Sequence, residues 1–406
     1  MITNWGPVDR QALRPVDGGV TAAPGVRAGG VVSGLKASGR PDLAAVVTDE
    51  PARAAVMTTT NLVRASSCEL SARHAADGRA QAVLINSGNA NVCTPHGEDH
   101  TRMMASAAAD HLDVAFDDVL VMSTGVIGVP LEVERITAAL PGLATGLTAD
   151  GGAAAAEAML TTDSHAKQVA VEVTDANGGR CTVGGMAKGV GMIEPAMATL
   201  LVVLTTDAPL SGAVATRLLH GAVRSTFNRI SVDGDGSTSD QIALLATGAA
   251  AAPPSLEAVG TAIHAVCADL AEQVVADGEG ASRVAAITVG GAPTEAEAER
   301  LARAIATSLL VRAAIHGADP NWGRILMAMG SAGVAFDPRR VTVTCAGFTV
   351  CRFGVAASFD RGQVAAAMDR AVVDIGVDLG SGEASATMLT CDLTPEYVRF
   401  NAEYTT

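Results

Sequence analysis

Residues 184–206 run GGMAKGVGMIEPAMATLLVVLTT, and several kinds of chemistry meet there. A glycine-rich turn carries one cation, Lys188. Pro195 stiffens the approach, and Ala196 and Ala198 leave the backbone unshielded. Thr199 then opens an apolar run, Leu200 to Leu204, with the pattern of a fully buried strand. A hydroxyl at the head of such a strand, beside an uncrowded carbonyl, could cut the chain. The Thr199 oxygen would attack the Ala198 carbonyl, the acyl group would move from nitrogen to oxygen, and water would release it. Thr199 would then begin a new chain, its own α-amine acting as base for its hydroxyl. A Thr here also suits a strand simply because it is β-branched, so the residues alone leave both readings open.

A second set of groups could stabilise the resulting negative oxygen. Val119 to Met122 reads as a strand that empties into Ser123-Thr124-Gly125-Val126. A hydroxyl and an unhindered glycine N–H at a strand exit are both donors, and Thr124 with Gly125 could form an oxyanion hole. One such donor is worth ~2.7–4 kcal/mol in the transition state. A phosphate loop is the other use of such a turn, but no GxGxxG or GxxxxGK[ST] pattern follows. Ser231 to Asp240 (SVDGDGSTSD) hints at calcium, yet the sixth and twelfth loop positions would need Gly and Glu where Thr238 and Leu244 stand. Glu279 lies between two glycines; it is a solvated turn residue or, facing a site, a carboxylate that could hold an amine.

The elements that would position these groups alternate between strand and helix. Asp42–Asp49, Ala52–Thr59 and Gln81–Asn86 read as short strands, the last emptying into a turn, Asn86 to Asn91, with exposed amides. His100–Leu112 has helical spacing, with Met103, Ala107, Ala108 and His111 able to share faces; Leu131–Leu140 and Ala153–Leu160 are also helical. The last of these delivers Thr161-Thr162-Asp163 to a loop before the strand Gln168–Val173. Helices follow at Ser211–Arg224, Ser255–Ala276, from a capping box at Thr294 to about Ala314, and at Arg361–Ile375. Strands are expected at Gln241–Ala246, Val284–Val289, Val341–Thr344, Phe348–Phe353 and Ala384–Leu393.

The 406 residues suffice for two domains or one large one, and 49% are apolar with only 3% aromatic, so the core must be aliphatic. A net charge of −15 argues against nucleic acid as a partner, while leaving room for an anionic substrate in a locally positive pocket. Seven scattered cysteines without a CxxC pair suit a reducing compartment and carry no zinc pattern. With no apolar leader and no stretch expected to span a bilayer, a cytoplasmic protein without membrane contact is the expectation.

Six separated runs carry a resemblance to a known family. They are Lys188 to Leu201 (KGVGMIEPAMATLL), Asn86 to Asn91 (NSGNAN), the Thr124-Gly125 pair, Ser231 to Thr238, Gly317 to Arg324 (GADPNWGR) and the chain end from Asn401. Together they resemble the bifunctional ornithine/glutamate N-acetyltransferases of arginine biosynthesis.

The resemblance implies that the precursor cuts itself between Ala198 and Thr199. This gives an alpha chain of residues 1–198 and a beta chain of residues 199–406 that begins with the nucleophile. It implies that Thr199 carries the acetyl group, that Thr124 and Gly125 form the oxyanion hole, and that Thr162, Lys188, Thr199, Glu279, Asn401 and Thr406 bind substrate. Acetyl would pass from N2-acetyl-L-ornithine to L-glutamate in a ping-pong cycle, with no metal and no cofactor; some members also take acetyl-CoA as donor. Two processed copies would pair as a heterotetramer. The implied fold is an α/β/β/α layered sandwich resembling the N-terminal-nucleophile hydrolases with different connectivity, although the residue pattern alone fits a doubly wound sheet as well. The run Ser164-His165-Ala166-Lys167 departs from the family's Thr-Phe-Pro-Lys. Trp322 and Arg324 are expected to be mainly structural. The alternatives are a self-processing amidohydrolase or aminopeptidase of related fold, and a binding protein that is never cut.

Overall fold

The computed structural model describes residues 12–194 and 200–403. These form two compact units, one within residues 8–228 and 235–274, the other within residues 229–234 and 275–405. In chain order the first unit holds β1 (Leu13–Pro15), β2 (Val26–Val31), β3 (Leu43–Thr58), α1 (Ser66–His74), β4 (Arg79–Asn89), α2 (Gly97–Leu112) and β5 (Val119–Val126). It continues with α3 (Val133–Thr145), α4 (Gly152–Ala158), β6 (Lys167–Thr174), β7 (Arg180–Lys188), β8 (Leu201–Thr206) and α5 (Gly212–Ser225). After the two-residue β9 (Ile230–Ser231) of the other unit, β10 (Gln241–Ala246) and most of α6 (Leu256–Ala276) complete it.

Nine strands make one sheet, in the order β1-β6-β7-β8-β10-β3-β4-β5 with β2 against β3. Strand alternation decides what each face buries. Leu43, Ala45, Leu84 and Val121 point to a cluster with Met104 of α2 and Ile136 of α3. Their neighbours Ala44, Val46, Ile85 and Met122 point to a second cluster with Ala155 of α4. Small side chains let the layers close. A Cβ on Gly185 would stand 2.7 Å from Leu204 and 3.0 Å from Leu270 of α6.

The other unit contains β11 (Val284–Ala292), α7 (Glu295–Ala306), α8 (Leu309–His316), α9 (Trp322–Gly330), β12 (Thr342–Cys345), β13 (Phe348–Arg352) and β14 (Val355–Ala356). It ends with α10 (Arg361–Met368), β15 (Val372–Asp378), β16 (Ala384–Cys391) and α11 (Pro395–Glu403). Its seven strands run β14-β13-β12-β15-β11-β16-β9. Leu301 and Ile305 of α7 and Met329 of α9 fill the core over Ile287 and Met388. The chain is thus α/β, with helices laid on two separate sheets.

Several expected elements differ. The two strands expected at 42–59 are one strand, β3, whose pairing with β4 shifts between Val47 and Ala52. The exposed turn expected at Asn86–Asn91 is instead the buried end of β4, because β5 runs parallel beside it as far as Asn89. On α2 the buried face is Thr101, Met104, Ala105 and Ala108, and Met103 is exposed. The long helix from Thr294 breaks at Ser308, which accepts the Val311 N–H as a new N-cap. The helix expected to reach Ile375 stops at Met368, and β15 follows with alternating burial. Among the described residues one helix, the 21-residue α6, is long and apolar enough to cross a membrane by length and composition alone. It is a core helix here, with Ile263, Val266 and Leu270 fully buried.

Candidate active site

Lys188 is the last residue of β7, buried, and stands opposite Leu201 of β8. It belongs to a strand rather than to a glycine-rich turn. Burying an ammonium is costly unless negative charge lies near. Asp163, in the loop after α4, supplies such charge. Its Oδ1 accepts from Lys167 Nζ and from the Gly189 N–H, each at 2.8 Å, and its Oδ2 accepts from the Thr161 N–H at 3.0 Å. Burial disfavours this carboxylate's charge, but Lys188 and Lys167 outweigh burial and hold its pKa far below the usual carboxylate range.

A third lysine faces the same loop. Lys36 Nζ donates to the carbonyls of Pro41 (2.8 Å) and Leu160 (2.6 Å). Burial lowers its pKa to about 8, against the pull of Asp42 and with repulsion from Arg40 and Lys188. An acidic protein therefore carries a local cluster of cations, Lys36, Lys167 and Lys188, around one carboxylate. Such a cluster suits a substrate bearing a carboxylate. Thr162 lies half-buried in the same loop, immediately before Asp163.

Thr124 and Gly125 lie near the end of β5, paired in parallel with Ser87 and Gly88 of β4. Thr124 is buried. Gly125 has φ +129°, and a Cβ there would collide with the backbone of Gly88 and stand 2.5 Å from the Asn89 nitrogen. Only glycine suits both demands. The asparagines beside it are scaffold: Asn86 Nδ2 donates to the Asn89 carbonyl at 2.8 Å, and Asn91 Nδ2 to the Gly97 carbonyl at 2.8 Å and the Thr101 hydroxyl at 3.0 Å.

The loop from Ala158 to Asp163 ties this strand exit to Lys188. The Ser87 hydroxyl donates to the Ala158 carbonyl, Lys36 to the Leu160 carbonyl, and Asp163 receives the Gly189 N–H. Thr124, Gly125, Thr162 and Lys188 are thus joined through one short segment. Ala198 and Thr199 lie outside the described residues, as does Thr406. The first described residue after the expected cleavage bond, Leu200, is held at both ends. Its N–H donates to Asp240 Oδ1 at 2.8 Å, and its carbonyl accepts the Gln241 N–H at 3.0 Å.

In the other unit Asn401 of α11 donates through Nδ2 to Glu279 Oε2 at 3.0 Å, so two expected substrate ligands meet. Thr394 explains why. Its hydroxyl donates to the Gly280 carbonyl at 2.7 Å and accepts the Tyr397 N–H at 3.2 Å, fixing the start of α11 against the Glu279 turn. Trp322 packs on that unit's core, and Arg324 Nη1 donates to the Leu310 carbonyl at 2.8 Å, both structural contacts. Sequence reasoning does not single out Asp163, Lys167, Lys36 or Asp240. Only the i,i+4 spacing of Asp163 and Lys167 is visible as a signal.

The ArgJ family model matches residues 27–406. The arginine biosynthesis bifunctional protein ArgJ of Gloeobacter violaceus is 43% identical over 404 residues, covering 96% of this chain and 98% of that protein. The Streptomyces coelicolor protein of the same name is 43% identical over 387 residues, covering 95% and 99%. Among solved structures, the Bacillus halodurans argJ protein is 34% identical with TM-score 0.48, covering 50% of this chain and 98% of that one. The ornithine acetyltransferase of Mycobacterium tuberculosis, complexed with ornithine, is 38% identical with TM-score 0.41, covering 45% and 98%. The sequence matches run nearly end to end, and the chain belongs to the ArgJ family.

Proposed function

We propose that this chain cuts itself between Ala198 and Thr199 and then moves acetyl from N2-acetyl-L-ornithine to L-glutamate through an acetyl-Thr199 intermediate. The observation that carries the reading is the register of β7 against β8. Lys188 stands opposite Leu201, two residues beyond Thr199, inside a cluster of cations in an acidic protein. Once liberated, the Thr199 α-amine has a reference pKa of ~7.7–8.0 and takes the hydroxyl proton. A neighbouring ammonium lowers that value.

Thr199 attacks the acetyl carbonyl while the Thr124 hydroxyl and Gly125 N–H hold the oxyanion. Ornithine leaves, glutamate enters, and its α-amine takes the acetyl group. Lys188 attracts the substrate carboxylate, Thr162 lines the same loop, and Glu279 with Asn401 and Thr406 receives the amine end. No metal or cofactor is assigned a step. Two alpha and two beta chains form the proposed assembly.

Initial-rate measurements test the transfer. With N2-acetyl-L-ornithine, ornithine release should depend on glutamate, N-acetyl-L-glutamate should appear in equal amount, and double-reciprocal lines should be parallel. Equal rates of acetate and ornithine release without glutamate would instead identify an amidohydrolase.

A further inference from the structure

The cations around Asp163 are not balanced alike. Lys167 has the Asp163 carboxylate at 2.8 Å, and Arg40 has Glu157 at 2.7 Å. Lys36 makes no ion pair among the described residues. Asp42 attracts it, but the Asp42 oxygens are taken by backbone, Oδ1 by the Ser33 N–H and Oδ2 by the Lys36 N–H. An ammonium has three N–H donors. Two of them go to the Pro41 and Leu160 carbonyls, and the third has no partner among the described residues. The side chain is half-buried and is repelled by Arg40 and Lys188, yet it stays charged at neutral pH, since burial lowers its pKa only to about 8. A partly desolvated cation with a spare donor is stabilised by an anion placed against it. We infer that Lys36 selects the acceptor, its ammonium binding the side-chain carboxylate of L-glutamate.

This inference rests on the transfer proposed above and adds what tells its two amino acids apart. Both carry an α-carboxylate, which Lys188, opposite Leu201, attracts in either half-reaction. Beyond that they differ: N2-acetyl-L-ornithine ends in an amine, glutamate in a second carboxylate. Glu279, proposed for the amine, repels a carboxylate, so the acceptor needs a cation of its own. Lys36 is tied to the Thr162 loop through the Leu160 carbonyl, and Lys188 is near enough to act on its charge. Lys167 and Arg40 do not offer the same, because each already holds a carboxylate of the protein.

The test is full-length Lys36→Gln, assayed with both substrates varied. In a ping-pong cycle kcat/KM for each substrate reports its own half-reaction, so the two are read apart. A glutamine amide can still donate to the Pro41 and Leu160 carbonyls but carries no charge. kcat/KM for glutamate should fall by ~10–100-fold, as loss of a charge-assisted hydrogen bond does, while kcat/KM for N2-acetyl-L-ornithine stays near the wild-type value. Equal losses in both constants would mark a residue that only holds the Thr162 loop, and would overturn the inference. So would an unchanged glutamate constant. If Lys36→Gln does not fold, Lys36→Met is judged by the same comparison. A wild-type chain whose ornithine release does not depend on glutamate would remove the underlying transfer reading instead.

Discussion

Replacing Asp163 by Asn changes one buried atom and leaves Lys167 without its counter-charge. Both side chains are fully buried, with 2.8 Å between Nζ and Oδ1. Removing one partner of such a pair costs ~3–5 kcal/mol, because the remaining charge is left uncompensated. Asn cannot recover the loss by rotation. Oδ1 receives Lys167 and Gly189, Oδ2 receives the Thr161 N–H, and an amide nitrogen at either place faces a donor. Denaturant unfolding, followed by two probes because two units need not unfold together, reads the difference. The acid arm has a definite sign. Burial opposes the Asp163 charge, but Lys188 and Lys167 depress its folded pKa below that of the unfolded chain. Its stabilisation is therefore complete above the unfolded value of ~3.9 and lost as pH falls toward the folded one. The gap between wild type and variant should hold from neutral pH down to about 5 and shrink below about 4. A double variant with Lys167→Met should recover part of the loss. Equal midpoints for wild type and Asp163→Asn, or a gap unchanged in acid, would refute the argument.

Thr124→Ala should lower kcat by ~10²–10³ with little change in unfolding, as loss of one oxyanion donor does; an unchanged kcat contradicts the assignment. Gly125→Ala should cost about 1–3 kcal/mol of stability as well as activity, since φ +129° and the Gly88–Asn89 backbone both exclude a Cβ; an unaltered unfolding curve contradicts it. Lys36 has a folded pKa of about 8, lowered by burial, so the unfolded chain binds more protons above that pH. Wild type should therefore gain stability relative to Lys36→Met as pH rises from 8 toward the unfolded lysine value of ~10.4; a pH-independent difference would contradict it.

What is legible in the sequence is local. β10 can be read to the residue and β8 nearly so, because continuous apolar runs between polar ends have few other uses. Caps are equally plain: Ser211 accepts the Val214 N–H, and Thr294 accepts the Glu297 N–H. Apolar spacing carries on across Ser308, which hides the break between α7 and α8. The alternation of Val373, Ile375 and Val377 is masked by the helical residues before it. Burial of polar groups is not visible. Asn86 and Ser87 look like turn residues until β5 is laid beside them, and Asp163 and Lys167 look solvated until β7 brings Lys188 to the same place. Those partners are distant in sequence, and no local pattern announces them.

Intact mass spectrometry of the purified protein, held at neutral pH, bears most directly on the central claim of a nucleophile freed by self-cleavage. The account predicts two polypeptides, the second beginning at Thr199, and a single uncut mass for Thr199→Ala. One stable full-length mass for the wild-type chain would contradict it.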